Sequence, residues 1–451
     1  MNASKERANR LVGQRASRHV VIIGGGFGGL ACAIELGNAP DTDVTVIDRR
    51  NHNLFQPLLY QVATAALSPA DIAEPIRKTL ARFKNTNMIM AEVVGVDPPR
   101  HSVVLSDGGS LSYDKLVIAT GSEYNYFGHE GWRTFAPGLK SIHEARQIRH
   151  RLLLAFERAD RAKSETEKQA FLTSIVIGGG PTGVEMAGAI SELGRFMISR
   201  DFRNLQPDNL RVILVEAGPR ILAAFPEHLS EYARSYLEKI GVEVRTATRV
   251  LDIREEGAEI EGEFVPAGSI IWGAGVKASP AHSWLRIAGV AGGRIPVDEY
   301  LRVQGLDDIY AIGDTSAIAG ADGKFLPGLA QVAKQQGIYL GRNLRSGKAV
   351  SGFKFKNRGN TAVIGRNAAV FDFGKWTMKG RAAWLLWALV HVYLLINFEK
   401  RLLVAVQWIG RYLTRQRGAR IIDETAEETD VARHITAAGG AGKTSADRPR
   451  S

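Results

Sequence analysis

One short pattern occurs twice in this chain, and it restricts the fold more than any bulk property does. Val20-Val21-Ile22-Ile23 runs into Gly24-Gly25-Gly26-Phe27-Gly28-Gly29-Leu30, and Ser174-Ile175-Val176-Ile177 runs into Gly178-Gly179-Gly180-Pro181-Thr182-Gly183-Val184, 154 residues later. Each copy is a β-branched run, a glycine turn and an alanine-rich stretch of helical periodicity. Each therefore predicts strand, tight turn, helix. A second strand ending in an acid follows each copy. Val44-Thr45-Val46-Ile47-Asp48 places Asp48 24 residues after Gly24, and Val212-Ile213-Leu214-Val215-Glu216 places Glu216 38 residues after Gly178. The second copy is 14 residues longer here, and the polar stretch 200–209 is expected to hold the excess.

Glycines and an acid at this spacing suit a dinucleotide. A pyrophosphate must approach backbone closely to accept its hydrogen bonds. In G-x-G-x-x-G the first glycine (Gly24, Gly178) allows the turn, the second (Gly26, Gly180) clears space for phosphate, and the third (Gly29, Gly183) lets helix pack on strand. The helix start, with Phe27 and Gly28 in one copy and Pro181 and Thr182 in the other, offers free N–H groups and a partial positive charge. The acid accepts hydrogen bonds from ribose hydroxyls. One such motif is a weak signal, since glycine-rich turns occur in unrelated α/β proteins. Two in matching contexts are a strong one. Glu216 would repel a 2′-phosphate, which favours NADH over NADPH, although Arg220 lies close in sequence. Arg49 and Arg50 fit either a solvated loop or packing against an adenosine.

Two further apolar runs end in glycine, Leu116-Val117-Ile118-Ala119-Thr120-Gly121 and Ile270-Ile271-Trp272-Gly273-Ala274-Gly275, and a third, Ile309-Tyr310-Ala311-Ile312-Gly313-Asp314, ends in an acid. The expected fold is α/β: two Rossmann-like dinucleotide-binding domains, the first interrupted by the second. The first covers 18–125 and 290–345, and the second covers 126–289. A C-terminal helical extension spans 346–420, and 1–17 and 421–451 are expected to be disordered tails. The N-terminus shows no apolar signal segment.

Composition excludes some chemistry. The single cysteine, Cys32, lies in an apolar stretch, so neither an intramolecular disulfide nor a redox thiol pair is available. No Cys/His cluster suggests a metal. The net charge is +11, and 375–420 holds nine basic residues against Glu399, a net +8. Localised positive charge beside apolar residues calls for an anionic partner, membrane or nucleic acid. Residues 382–396 are apolar except for His391 and carry Trp384, Trp387 and Tyr393. As a helix they span ~22 Å, short of the ~30 Å of hydrocarbon. A second apolar stretch, 402–413, has Lys400, Gln407, Arg411 and Arg415 at helical spacing. The pair reads as two helices lying in a membrane interface, or packed on the core or in a dimer contact. With no longer span, a proton-pumping channel is not expected. His391 reads as a helix residue with a satisfied partner.

With these motifs placed, residues 18–415 resemble the two-dinucleotide-binding-domain flavoproteins. Within them the chain is similar to the type II, non-proton-pumping NADH:quinone oxidoreductases. The marks are Phe55-Gln56-Pro57-Leu58-Leu59-Tyr60-Gln61-Val62-Ala63, Ala311-Ile312-Gly313-Asp314, Ala330-Gln331-Val332-Ala333-Lys334-Gln335 and the Trp-rich extension. The resemblance implies that Gly24, Gly26 and Gly29 hold the FAD pyrophosphate, with Asp48 on its ribose, where the family often has Glu. It puts Thr120, Gly121, Asp314 and Ala330 near FAD. It gives the NADH phosphates to Gly178, Gly180 and Gly183, with Glu216 on the ribose and Gly275 close by. It puts Glu185 near nicotinamide and quinone, although an acid there also suits a helix N-terminus. Gln331 and Gln335 fall at the quinone pocket. Lys379 would assist quinone protonation, or contact lipid. The implied activity is NADH to FAD to a membrane quinone, by a peripheral homodimer on the cytoplasmic face of a bacterial inner membrane. Two rivals share the nucleotide sites: an NADH-dependent reductase of a soluble redox protein, and a basic flavoprotein that binds nucleic acid. The heavily apolar basic segment suits lipid better than nucleic acid.

Overall fold

A computed structural model describes residues 17–320, 323–347, 351–395, 398–414 and 420–422. The expected tails fall almost wholly outside these. The chain opens with β1 (Arg18–Ile23), α1 (Phe27–Leu36) and β2 (Thr42–Asp48). The short helix α2 (Leu59–Ala63) follows, then β3 (Thr86–Met90) and β4 (Lys115–Ile118). β1 pairs in parallel with β2, from Arg18↔Thr42 to Ile23↔Ile47, and with β4 on its other side. The last four residues of β1, Val-Val-Ile-Ile, are all buried. Continuous β-branched runs of this kind suit a parallel sheet covered on both faces.

Helix α3 (Ile142–Asp160), N-capped by the Ser141 hydroxyl, leads to the second copy: β5 (Thr173–Ile177), α4 (Pro181–Asp201), β6 (Arg211–Val215), α5 (Glu227–Lys239), β7 (Val242–Arg245) and β8 (Ser269–Trp272). These strands form a parallel sheet in the order β7-β6-β5-β8. The expectation that loop 200–209 holds the length excess of this copy is corrected. Most of it lies in the helix, since α4 has 21 residues and α1 has 10. The long apolar face of α4, Met186 to Ile198, explains why it continues.

The chain then returns to the first sheet. β9 (Ile309–Ala311) adds in parallel beside β4, which gives the order β9-β4-β1-β2-β3. Helix α6 (Ala330–Ser346) lies on α1 so closely that a Cβ on Gly337 would stand 2.1 Å from the Gly28 carbonyl oxygen. Beyond it an antiparallel sheet, β10 (Asn360–Gly365), β11 (Ala368–Asp372) and β12 (Thr377–Gly380), packs on α4 and carries α7 (Arg381–Leu394) and α8 (Phe398–Thr414).

Helix α7 divides its faces. Ala383, Trp387 and His391 are buried in the core shared with α2, α3 and α4, while Leu385, Leu389 and Tyr393 are 57%, 70% and 71% exposed. On α8, Val404 is buried while Leu402, Val406 and Ile409 are exposed. Core packing and an open apolar face therefore coexist. Among the described residues, no helix is long and apolar enough to cross a membrane.

Candidate functional site

The two glycine turns share one geometry. Gly24 has φ +104° and Gly178 φ +105°, a region L side chains avoid. A Cβ on Gly29 would stand 1.8 Å from the Gly24 carbonyl oxygen, and one on Gly183 would stand 1.8 Å from that of Gly178. Those positions are closed by backbone. The middle glycines differ: a Cβ on Gly26 or Gly180 meets nothing within 4 Å. Both are also helix N-caps without a side-chain cap, so among the described residues no capping side chain takes up the N–H groups of the first turns of α1 and α4. Phe27 and Gly28 begin α1, and Pro181 and Thr182 begin α4, with Pro181 at the position where a missing N–H costs nothing. Each turn thus leaves phosphate-sized room against a helix start.

The acids repeat as well. Asp48 accepts from the Gly25 N–H (2.7 Å) with one oxygen and from the Arg50 N–H (2.8 Å) with the other. Glu216 accepts from the Gly179 N–H (2.5 Å) and the Gly218 N–H (2.6 Å). The shorter Asp48 therefore reaches the same backbone position in its turn. Arg220 donates to the carbonyls of Phe225 and Ala223, so its guanidinium is engaged locally. Arg49 is exposed.

At the end of β4 the chain meets the strands from beyond the second sheet. The Thr120 hydroxyl lies 2.5 Å from that of Ser279 and 3.2 Å from that of Thr315. Gly121 has φ +70°. Asp314 accepts from the Ser122 hydroxyl (2.6 Å), which itself accepts from the Lys140 ammonium (2.8 Å). Burial lowers the Lys140 pKa, and Asp314 opposes that shift. Gly275 has φ +64°, where a side chain is strained, and a Cβ there would stand 2.5 Å from the exposed Phe127 ring, which would have to move.

The C-terminal sheet links the other candidates. Gln331, on the first turn of α6 beside Ala330, accepts from the Arg358 N–H (3.1 Å) and donates to the Gly359 carbonyl (3.0 Å). Gln335 does the same with both backbone groups of Lys356. Val363, four residues along, donates its N–H to Glu185 at 3.3 Å. That is about 13 Å of strand. The Glu185 residue keeps a partly exposed surface, but its carboxyl is enclosed, and burial pushes its pKa up to about 8 against that one hydrogen bond. Lys379 belongs to the same sheet, opposite Val370, which is opposite Ala362. Its exposed ammonium lies 5.4 Å over the Tyr232 ring of α5. The stretch 356–363 thus ties Gln331, Gln335 and Glu185 at successive points leading into and along β10, and Lys379 lies two strands away.

Comparison with known proteins fits this arrangement. Residues 18–337 match the model of the pyridine nucleotide-disulphide oxidoreductases, and 357–417 match the NDH2 C-terminal domain. The type II NADH:quinone oxidoreductase Ndh of Mycobacterium tuberculosis is 35% identical over 91% of this chain and 92% of its own. The chain belongs to the type II NADH:quinone oxidoreductases. An Arabidopsis thaliana internal alternative NAD(P)H-ubiquinone oxidoreductase A1, mitochondrial, is 32% identical over 89% of this chain and 85% of its own. NDH2 of Plasmodium falciparum, solved in complex with NADH, shares the fold at TM-score 0.81 and 23% identity, covering 90% of this chain and all of that one.

This type II oxidoreductase lacks the thiol pair that disulphide chemistry needs. Its one cysteine is buried in α1, and burial pushes the thiol up to about 12, so it stays protonated. Several residues at the site escape the sequence reading. Ser122 and Lys140 meet Asp314 across long separations. Gln336, fully buried, accepts from the Gly313 N–H (2.6 Å) and so holds the loop that carries Asp314. Its only sequence signal is a polar residue on the apolar face of α6. Trp387, buried in α7, stacks on His391 and Trp408, and Trp408 donates to Gln61 of α2 (3.0 Å). His391 bonds the Trp387 carbonyl through Nδ1 (2.8 Å), a satisfied helix residue, and burial lowers it to about 4.

Proposed function

We propose that this chain oxidises NADH and delivers two electrons to a membrane quinone through a bound FAD. The observation that carries the reading is the duplicated turn, with its open middle glycine, uncapped helix start and backbone-pinned acid, in a chain of this family. The first half, 18–125 with 290–345, would hold FAD through Gly24, Gly26 and Gly29, Phe27 and Gly28, Asp48 with Arg49 nearby, and Thr120, Gly121, Asp314 and Ala330. The second, 126–289, would hold NADH through Gly178, Gly180 and Gly183, Pro181, Thr182, Glu216 and Gly275. When bound, FAD supplies a two-electron centre that takes hydride and reduces quinone.

The residues present fit those groups. Gly26 and Gly180 leave room where a pyrophosphate lies, and the helix starts direct N–H groups and positive potential at it. Glu216, held in place by two backbone N–H groups, disfavours a 2′-phosphate. The Ser122–Asp314–Lys140 chain offers acceptors and a donor for ribityl hydroxyls. Glu185, largely protonated at neutral pH, can hold or release a proton near the β10 edge. Gln331 and Gln335 fix the segment that closes this region.

The exposed apolar stripes of α7 and α8, flanked by basic residues, support membrane attachment. We assign the chain to the cytoplasmic face of a bacterial plasma membrane, where NADH is present, as a homodimer. Soluble-acceptor and nucleic-acid readings gain no support from relatives named for quinone. The test is a rate assay on FAD-loaded protein, with NADH against NADPH and a short-chain quinone against a soluble protein acceptor. Faster turnover with the protein acceptor than with the quinone would overturn the reading.

A further inference from the structure

Next to the exposed apolar stripes lies a group of cations with no acid paired to them among the described residues. Segment 353–358, Phe-Lys-Phe-Lys-Asn-Arg, alternates: Phe353 packs edge-on against Tyr339 at 5.5 Å, Phe355 is half-buried, and Lys354, Lys356 and Arg358 are exposed. The amides of Gln331 and Gln335 hold this segment and the following Gly359 against α6 through four hydrogen bonds to backbone. Lys334, exposed on α6, lies three residues after Gln331, the spacing of neighbours on a helix surface. Arg401 joins from the start of α8. Its Nε donates to the Leu395 carbonyl (2.9 Å), and its guanidinium lies 5.2 Å over the exposed Tyr393 ring.

Among the described residues, no acid pairs with Lys334, Lys356, Arg358 or Arg401. Elsewhere the same region does neutralise its charge: the neighbouring Lys400 is paired with the buried Glu74 at 3.3 Å. Burial lowers the Lys334 pKa, and Arg358 and Arg401 lower it further, so the three charges feel one another. Like charges held together by backbone ties cost stability unless an anion sits among them. Tyr393, under Arg401, continues the stripe Leu385–Leu389–Tyr393, and Leu402, Val406 and Ile409 continue it on α8. An anion bound here has its neighbour in an apolar surface, which is the arrangement of a phospholipid with its headgroup beside its chains.

We propose that Lys334, Lys356, Arg358 and Arg401 form a binding site for the phosphate of an anionic phospholipid headgroup at the rim of the apolar face of α7 and α8. The inference rests on the membrane reading above but goes further. Apolar stripes alone bind any bilayer, whereas this site makes attachment depend on anionic lipid. It also places the headgroup on the segment that Gln331 and Gln335 hold.

The test is sedimentation of the full FAD-loaded chain with phosphatidylcholine vesicles and with vesicles doped with phosphatidylglycerol. Each headgroup contact by a basic side chain is worth roughly fivefold in partition. The wild type should gain at least ~25-fold from phosphatidylglycerol. The double variant Lys334→Gln, Arg358→Gln should lose most of that gain, keep its phosphatidylcholine binding, and keep its melting temperature and NADH:ferricyanide rate. Lys356→Gln alone should lose about fivefold. A control with the same charge change on exposed lysines outside the C-terminal extension and its packing neighbours, Lys84→Gln with Lys163→Gln, should lose less than half of the gain. Equal losses in control and test variants would overturn the site in favour of net charge. Capture of a short DNA duplex in place of vesicles, with the same charge dependence, would overturn it in favour of nucleic acid. No sedimentation with either vesicle would instead remove the membrane reading, and the site with it.

Discussion

The Glu185 carboxyl accepts a hydrogen bond from the Val363 N–H at 3.3 Å, joining the second nucleotide-binding helix to the C-terminal sheet. The bond spans 178 residues of sequence, and among the described residues it is the contact that offsets the carboxyl's burial.

That burial sets a pH dependence. The folded pKa is raised from 4.5 to about 8, so the folded protein holds a proton that the unfolded chain has released. Stability contributed by the neutral form is present in full below the unfolded value and is lost as pH rises through that window, by up to roughly tenfold in folding equilibrium per pH unit. Glu185→Gln keeps the acceptor and removes the titration. Between pH 5 and pH 8 the wild type should lose melting temperature relative to the variant, and above that the gap should stay constant. Parallel melting curves across the range would show that the carboxyl is solvated in solution.

The glycine turns predict a double dissociation. Gly26→Ala and Gly180→Ala meet no atom within 4 Å, whereas Gly29→Ala would drive a methyl into the Gly24 carbonyl at 1.8 Å. Gly26→Ala should therefore fold and purify with its FAD content strongly reduced. Gly180→Ala should stay yellow and raise KM for NADH at least ~10-fold, about 1.4 kcal/mol of binding. Gly29→Ala should fail to fold. Full FAD content in Gly26→Ala would mean that the pyrophosphate lies elsewhere.

Glu216 should govern cofactor choice. It is fixed by two backbone N–H groups, and Arg220 is bound to carbonyls rather than free to meet a phosphate. The ratio of kcat/KM for NADH over NADPH should be large in the wild type and fall about tenfold or more in Glu216→Gln, through loss of repulsion worth roughly 1–2 kcal/mol. An unchanged ratio would remove Glu216 from the ribose.

The parts of this site that can be read from sequence are the local ones. A glycine turn, a helix start and an acid at the next strand end sit within some 40 residues, and their pattern survives because backbone sterics require it. Asp48 and Glu216 end in the same hydrogen-bond pattern despite their different lengths. Ser122, Lys140 and Gln336 act across gaps that no local period encodes, and as single polar residues they look like any other. The roles of Gln331 and Gln335 are legible as to place but not as to bond, because their partners are backbone groups 21–28 residues away. The helical extension was legible as apolar and basic, yet which face is buried depends on α2, α3 and α4, which come much earlier in the chain.

Gly188 shows the same limit and gives the last prediction. It lies mid-helix in α4, where glycine costs about 1 kcal/mol against alanine in helix propensity. A Cβ there would stand 1.8 Å from the Ile364 carbonyl oxygen of β10, a backbone atom that cannot rotate away. The residue is small so that the C-terminal sheet can lie directly on the nucleotide-binding helix, one turn below Glu185. Gly188→Ala should improve the helix locally and yet push β10 outward, breaking the Glu185–Val363 bond and loosening the tie from Gly359 to Gln331. The variant should keep FAD, and NADH:ferricyanide turnover should change little, while NADH:quinone turnover falls severalfold or more and proteolysis nicks the segment 351–359. A variant with wild-type quinone turnover and unchanged proteolysis would show that the sheet can shift without cost, and that its close approach to α4 does not shape the quinone side of the site.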